Sequence, residues 1–364
     1  MRPLACLLLI VSLAASAFAD AAIDDAIGRL RAKDPLVRLR ATNELGRCQQ
    51  GPACAKAARA LERAVFDPSA HVRRGALNGL VTLDARSAGG SVARLLQVEQ
   101  DVSVLPAALM ALGELRVQGH DDLVVRYASH PLAPVRAGAM QAAGHLRGPR
   151  MRRLVLNSLR MADEEDAQWV VRASAVLALA RMGHAEDLAP IQRAFQSGGG
   201  TQSWIARSAV AKAIASLNPS PRIPLEAMLL DDDPRVALTA ATGLLDAGYT
   251  PVVLANLSHG KSGVRIASVG AVRRAKLEQA RPRLHHMARF DRSRAVRFAA
   301  ALTLFAWNDP IADAMMLDAV RADDPAIWGQ AVAQLARRTG AQHGRDVKAW
   351  SRALKRVRAE GRPR

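Results

Sequence analysis

Aromatic residues make up only 4% of this 364-residue chain, and cysteine occurs three times. A core with so few aromatic side chains must be built from small aliphatic ones. The zinc-protease pattern His-Glu-x-x-His and the serine-hydrolase pattern Gly-x-Ser-x-Gly are both absent from the sequence. No segment has the alternating hydrophobicity of a strand, and beyond the N-terminus none is apolar enough to cross a bilayer. These absences disfavour β folds, membrane spans and two large classes of hydrolase.

A repeated residue pattern runs through almost the whole chain. Ten times a β-branched residue is followed four positions later by a small residue and eight positions later by an apolar one. The β-branched residues are Val37, Val72, Val104, Val135, Val171, Ile205, Val236, Val264, Val296 and Ile327. Spacings of four and eight mark one face of a helix. Successive units begin 28 to 36 residues apart, which predicts stacked helical hairpins and therefore an all-α solenoid.

Two further features recur where the repeated helix begins. An Asp-Pro pair precedes it at Asp34-Pro35, Asp67-Pro68, Asp233-Pro234 and Asp324-Pro325. This pair is typical of a helix N-terminus, because Asp accepts hydrogen bonds from free amides and Pro fits the first helical position. An arginine follows the β-branched residue in six units, as Arg38, Arg73, Arg136, Arg172, Arg265 and Arg297. We interpret these arginines as structural, since Asp34 and Arg38 are spaced as an acid–base pair on one helix.

This pattern resembles the HEAT repeat, and the repeat length resembles the short HEAT-like form of the phycobilin lyases. The resemblance covers nearly all of the mature chain and implies an α-solenoid of about ten HEAT-like hairpins, with Asp and Arg side chains forming a ladder between repeats. It implies no particular activity. Deoxyhypusine hydroxylase, a HEAT-like di-iron enzyme, uses repeated His-Glu pairs, and this chain contains no His-Glu dipeptide. Phycobilin lyases act on cytoplasmic chromophore proteins, which conflicts with the export predicted below.

Residues 1–19 have the composition of a secretory signal peptide. An apolar stretch from Leu4 to Ala15 precedes an Ala-x-Ala cleavage site at residues 17–19. We therefore expect an exported protein, periplasmic in a bacterium. The mature chain is expected to divide into a repeat solenoid over residues 20–340 and a basic capping helix and tail over residues 341–364.

The mature chain keeps two cysteines, Cys48 and Cys54, on either side of a Gly51-Pro52 turn. In an oxidising compartment, an even pair that brackets a turn is typical of a disulfide. The spacing is not the Cys-x-x-Cys of a redox pair, and no further metal ligands stand nearby. We predict a Cys48–Cys54 disulfide.

The formal net charge is +18, and much of the excess lies at the C-terminus. From Arg337 to the last residue the chain has ten Lys and Arg residues and two acidic ones. A Gly-x-Asp-x3-Trp segment ending at Trp350 resembles the closing segment of bacterial HEAT proteins, which predicts a cap over the last apolar face. The candidate polyanion-binding residues are Arg345, Lys348, Arg352, Lys355, Arg356 and Arg358. The alternative is that these charges only keep the protein soluble.

Three other motifs have structural interpretations. Gly260-Lys261-Ser262-Gly263 lacks the earlier glycine and the preceding strand of a phosphate loop. The adjacent His285 and His286 would point about 100° apart on a helix and chelate one metal poorly. The acidic residues 163–166 lack the alternating oxygen ligands of a calcium loop. We predict no catalytic residues, no metal and no cofactor.

The sequence as a whole predicts a non-catalytic scaffold that binds a protein partner outside the cytoplasm. The alternative is a module that binds a polyanion, either anionic lipid or nucleic acid, through the basic C-terminal face. An enzyme of the lyase or oxidoreductase type would rest on fold analogy alone. No motif identifies the partner.

Overall fold

The computed structural model describes residues 20–49, 51–161, 169–196, 204–217 and 220–360. Within these ranges the regular structure is helical and contains no strand. The helices form ten consecutive hairpins and a final single helix, which confirms the predicted all-α repeat architecture. The proposed signal peptide and the acidic residues 163–166 lie outside the described ranges.

The chain divides into two compact units, Met1–Ala213 and Ile214–Arg364. The first unit contains α1 (20–29), α2 (Pro35–Leu45), α3 (Pro52–Ala64), α4 (Ala70–Thr82), α5 (Gly89–Val98), α6 (Leu105–Glu114), α7 (Asp121–Ala128), α8 (Ala133–Leu146), α9 (Gly148–Met161), α10 (Trp169–Met182), α11 (Leu188–Gln196) and most of α12 (Trp204–Ser216). The second unit contains the end of α12, then α13 (Arg222–Met228), α14 (Pro234–Asp246), α15 (Thr250–Asn256), α16 (Ser262–Ala275), α17 (Arg281–Phe290), α18 (Arg294–Ala306), α19 (Ile311–Val320), α20 (Pro325–Thr339) and α21 (Val347–Ala359). The boundary falls inside α12 rather than in a linker.

The repeated pattern lies on the even-numbered helices, which are the second helices of the hairpins. The small residue at the fourth position and the apolar residue at the eighth are buried in all ten hairpins. The β-branched residue is also buried in most hairpins, but Val37 and Ile327 are half-buried and Ile205 is exposed. Second helices pack against second helices, as α8 does against α6 and α10. Burial of each leucine-sized side chain stabilises this stack by about 1.5–3 kcal/mol.

Glycine allows a close approach between second helices in the first unit. A Cβ atom added to Gly113 of α6 would lie 2.6 Å from the Cα atom of Ala142 in α8. One added to Gly144 of α8 would lie 2.7 Å from the Cα atom of Ala178 in α10. Any larger residue would push the helices apart, so glycine is a packing requirement at both positions.

Aspartate begins several second helices, as the Asp-Pro pairs predict. The side chains of Asp34, Asp233 and Asp324 accept hydrogen bonds from backbone amides in the first turns of α2, α14 and α20, at 2.8, 2.9 and 2.9 Å. The fourth pair is an exception, because α4 begins at Ala70 rather than at Pro68. Asp67 has a different role, described below.

Seven of the ten second helices are followed by a residue with positive φ twelve positions after the β-branched one. The residues at this position with positive φ are Asp84, Arg116, Arg147, Gly183, Gly248, Lys276 and Asn308. Five of the seven are not glycine, so these helix ends hold L-residues in a conformation that glycine adopts at lower cost.

Cys48 and Cys54 form the predicted disulfide, with Cα atoms 5.5 Å apart. The bond joins the residues after α2 to the first turn of α3, and therefore links the first hairpin to the second.

Candidate interaction surfaces

Three of the arginines that follow a β-branched residue, Arg38, Arg73 and Arg265, connect two consecutive hairpins. Arg38 donates from Nε and Nη2 to the Asp67 carboxylate at 2.7 and 2.8 Å. Its Nη1 donates to the carbonyls of Ala32 and Lys33 in its own interhelix turn. Asp34 caps α2 and acts on Arg38 only through its charge, whereas the hydrogen bonds of the Arg38 side chain go to its own turn and to the following hairpin.

The same bonds recur further along the chain. Arg73 binds Glu99 at 2.7 and 2.9 Å, and Arg265 binds Asp291 at 2.8 and 2.7 Å. Each acid stands five positions before the next β-branched residue, a regularity of the sequence whose meaning becomes evident only in the structure. Arg136 and Arg297 likewise donate to the carbonyls of their own turns, and Arg172 is buried in α10.

Two acids of this ladder, Asp67 and Asp291, have a lowered pKa. Burial raises the pKa of Asp67, but the hydrogen bonds from Arg38 and from the Ser69 amide outweigh burial and keep the pKa below its usual range. The pKa of Asp291 is lowered in the same way by Arg265 and by the Ser293 amide. Arg38, Arg73 and Arg265 therefore fix one hairpin to the next through charge-assisted hydrogen bonds.

The final helix, α21, caps the last hairpin and contacts both α19 and α20. Trp350 is fully buried, and its Nε1 donates to the Gly344 carbonyl at 2.8 Å. Leu354, one turn later, is also buried. Asp346 begins the helix by accepting a hydrogen bond from the Ala349 amide. The cap therefore has an apolar inner face and a defined N-terminus.

Two of the six candidate polyanion-binding residues help to attach this cap. Arg345 donates to the Ala322 carbonyl at 2.9 Å, and its guanidinium lies 5.2 Å from the centre of the Trp328 ring. Arg358 forms a salt bridge with Asp313. Both cations are used within the fold, so the candidate strip is shorter than the sequence suggested.

The other four candidates form a basic strip along α21: Lys348, Arg352, Lys355 and Arg356. All four are exposed, and none of their side chains makes a hydrogen bond or a salt bridge within the described part of the chain, although the charge of Arg352 acts on Asp346. Their spacings of four, seven and eight from the first place them along one side of the helix.

A groove of ≈ 530 Å³ runs between the end of α20 and α21. Ala349, Ala353 and Val357 are half-buried along its α21 side, and the exposed Arg352 and Arg356 line it from the same helix. The remaining lining residues are Arg338, Thr339, Ala341, His343 and Glu360. Lys348 and Lys355 do not line the groove, so the basic strip divides into two cations inside it and two outside it.

Arg338, a third cation of the groove, is occupied by the fold. Its guanidinium stacks 3.8 Å from the Phe305 ring centre and donates to the Phe305 carbonyl at 2.5 Å and to Asn308. It also lies 3.6 Å from Asp313. Burial lowers the pKa of Arg338. Arg352 and Arg356 are therefore the groove cations that remain open to a ligand.

A second surface, the turn edge, consists of exposed apolar side chains in the first four hairpins: Leu36, Phe66, Val98, Val102 and Leu132. Phe66 and Val98 are 45% and 67% exposed and occupy equivalent positions, six before the β-branched residue. All five flank or occupy the turn between first and second helices. The other exposed large apolar residue described in this unit, Ile205, also begins a second helix.

His145 lies half-buried at the end of α8, with Nε2 4.0 Å from a Glu114 carboxylate oxygen. Burial, reinforced by the positive charges of Arg181, Arg116 and Arg147, lowers its pKa to about 4. The partly exposed Glu114 does not offset these effects. His145 is therefore neutral at physiological pH.

The remaining motifs are explained by contacts within the fold. The Gly260 carbonyl accepts hydrogen bonds from Arg265 and Arg292 in the interhelix turn before α16. His285 Nε2 lies 2.8 Å from the Asp309 carboxylate. In the described ranges no three His, Cys, Asp or Glu side chains gather as a metal site. No helix there is long and apolar enough to cross a membrane.

No family model matches the chain, and no curated protein matches it significantly. Among solved structures, the complex of CpcE and CpcF of phycocyanin lyase from Nostoc sp. is 15% identical, with a TM-score of 0.43 over 71% of this chain and 96% of that chain. Human deoxyhypusine hydroxylase is 19% identical, with a TM-score of 0.33 over 81% and 98%. The karyopherin Kap121p is 12% identical, with a TM-score of 0.38 over 92% of this chain and 42% of that chain. These neighbours are HEAT-repeat-like helical proteins, and at this similarity we draw no functional conclusion from them.

Proposed function

We propose that this protein is a non-catalytic scaffold that holds a protein partner outside the cytoplasm. The observation that carries the proposal is the turn edge. Single exposed apolar residues are ordinary on a protein surface, whereas exposed apolar residues that recur in neighbouring repeats favour an interaction site. The apolar residues of this edge recur in each of the first four hairpins.

Because the hairpins are stacked, the turn edge can bind an extended partner. The Arg38–Asp67 and Arg73–Glu99 bonds fix the turns of the first three hairpins relative to one another. An edge that is rigid before binding loses little conformational entropy when a partner docks. Phe66 provides an aromatic anchor of the kind enriched in the centres of protein interfaces.

Action outside the cytoplasm is supported by the Cys48–Cys54 disulfide and by the signal-peptide composition of residues 1–19. The test is N-terminal sequencing of the protein purified from its native cells. A mature chain that begins at Asp20 is expected. A chain that retains the first 19 residues would contradict export by cleavage.

The scaffold proposal is tested by site-specific photo-crosslinking in living cells. A crosslinking residue in place of Val98 should form a discrete adduct with one protein, and Phe66→Ser should abolish that adduct. The control position is Ile223 of α13 in the second unit, which is 79% exposed and is not one of the turn-edge residues. Absence of any adduct specific to position 98 would contradict the proposal.

Polyanion binding is the second candidate, and it is favoured by the unpaired basic strip of α21. Its partner would be recognised by charge density, and binding would weaken steeply with salt because bound counterions are released. Heparin and anionic vesicles are the probes that test it, and they are included in the experiment below.

A further inference from the structure

The groove beside α21 differs from a plain basic strip in having both apolar walls and cations. We infer that it binds an acidic peptide segment of a protein partner, with Arg352 and Arg356 holding the carboxylates. This inference rests on the scaffold proposal for the class of partner, but it concerns a surface separate from the turn edge.

The geometry of the groove suits a peptide. Its volume of ≈ 530 Å³ lies in the range of ordinary ligand pockets. Ala349 and Ala353 present only methyl groups on the α21 side, so a peptide can approach the helix backbone closely. Val357 continues this apolar surface by one turn. Small apolar side chains of the ligand can therefore be buried between α20 and α21.

The two open cations are placed to anchor carboxylates. Arg352 and Arg356 stand four positions apart, so their side chains follow one another along the groove with a rise of about 6 Å. The guanidinium group binds a carboxylate through two parallel hydrogen bonds, which fixes the orientation of the ligand as well as its charge. Acidic residues on one side of a peptide can therefore bind these two guanidinium groups.

The wall that carries these cations is rigid. Trp350 and Leu354 bury the opposite face of α21, and the Arg358–Asp313 salt bridge attaches its last turn to α19. Across the groove, Arg338 is held by Phe305 and Asn308. The cavity is therefore formed before a ligand arrives.

One feature favours a peptide over a nucleic acid or a membrane. A flat anionic surface would contact all four cations of the strip, yet only Arg352 and Arg356 line the concave part. A discrete acidic peptide uses both the cations and the apolar walls.

The experiment compares two double variants of the full mature protein that remove equal charge from the same helix. Arg352→Gln with Arg356→Gln empties the groove of open cations, and Lys348→Gln with Lys355→Gln removes the two cations outside it. The probe is a fluorescein-labelled peptide of alternating glutamate pairs and alanine pairs, followed by anisotropy at physiological salt. We expect the arginine variant to weaken binding at least tenfold, about 1.4 kcal/mol, and the lysine variant less than threefold.

A variant that preserves the charge distinguishes binding in the groove from binding to the basic strip. Ala353→Leu fills the groove and leaves all four cations, so it should weaken peptide binding while leaving heparin binding unchanged. Circular dichroism should show that each variant keeps its helices, because none of the substituted residues is fully buried.

Three results would overturn the inference. The first is no binding of the peptide to the native protein, and the second is equal weakening by the two double variants. The third is tighter binding of heparin or phosphatidylglycerol vesicles with the same dependence on all four cations, which would favour polyanion binding. Crosslinking at position 98 is measured separately. The groove proposal can therefore be contradicted while the turn-edge proposal is supported, or the reverse.

Discussion

The Arg265 guanidinium and the Asp291 carboxylate, 26 residues apart in sequence, form two hydrogen bonds of 2.8 and 2.7 Å. Both side chains are less than 10% exposed. The same arginine donates to the carbonyls of His259 and Gly260 at the turn before its helix. One side chain thus satisfies two backbone carbonyls and one carboxylate, and it connects two hairpins of the second unit.

Loss of Arg265 should therefore destabilise the protein strongly. Arg265→Ala leaves the Asp291 carboxylate without its cation, and we expect a loss of about 2–4 kcal/mol in the free energy of unfolding. Arg274→Ala, at an exposed position of the same helix, should change it by less than about 0.5 kcal/mol. Urea denaturation measures both. Equal effects of the two substitutions would show that the ladder does not stabilise the stack.

Damage to one buried position should remain local. Ala139 of α8 is completely buried, and Ala139→Asp places an unpaired charge between stacked helices at a cost of several kcal/mol. Hydrogen exchange should show lost protection in α6, α8 and α10 first, because each hairpin contacts mainly its neighbours. The exposed Ala55→Asp in α3 is the control. Uniform loss of protection throughout the first unit would argue against modular unfolding.

His145 should make stability depend on pH in the weakly acidic range. Its folded pKa of about 4 lies below the ordinary value of 6.5, so the unfolded chain binds the proton more tightly. The contribution is fully present above pH 6.5 and is lost as the pH falls towards 4, by about 1–3 kcal/mol after allowance for solvent screening. His145→Gln should flatten the stability curve between pH 6.5 and 4.5. An unchanged slope would mean that His145 is not the group that titrates.

The left-handed helix ends offer a stabilising substitution. Lys276 ends α16 with φ of 52°, and Gly248 occupies the equivalent position after α14 with φ of 84°. Lys276→Gly should raise the free energy of unfolding by about 0.5–1 kcal/mol, because glycine adopts this conformation without steric cost. The reciprocal change, Gly248→Ala, should lower it by about 1 kcal/mol. Thermal denaturation that shifts both variants in the same direction would contradict this reasoning.

The disulfide should be present in protein purified from its native compartment. Thiol counting under denaturing, non-reducing conditions is expected to find no free thiol at Cys48 or Cys54. The double Cys48→Ala, Cys54→Ala variant should lose about 2 kcal/mol, the loop-closure entropy of so short a loop. Two free thiols in the purified protein would remove this support for an oxidising compartment.

The repeat architecture was readable from residue spacing because burial on a helix is periodic. A residue such as Ala139 follows Val135 by one helical turn, and the two must share a face whatever surrounds the helix. Ala143 extends that face by another turn. The same local logic located the Asp34 and Asp324 caps and placed Cys54 within bonding distance of Cys48.

Residue spacing did not predict which side chains pair between hairpins, although the HEAT resemblance implied a ladder of Asp and Arg. The pairing of Arg38 with Asp34 looked favourable on one helix, but the hairpin stack brings Asp67 closer, and a buried carboxylate needs the cation more than an exposed one does. Likewise, the six basic residues near the C-terminus were equivalent in sequence. Folding uses Arg345 and Arg358 to attach the cap, and it places Arg352 and Arg356, but not Lys348 and Lys355, beside a groove.

The difference between what the sequence determines and what only the tertiary structure determines has a physical basis. Helix periodicity, caps and turns depend on residues within about eight positions, so the helices and their buried faces are properties of local sequence. The partner of a charged side chain depends instead on which distant segment packs beside it and how completely that segment excludes water. For Arg265 that partner is Asp291, a choice decided only when two hairpins stack.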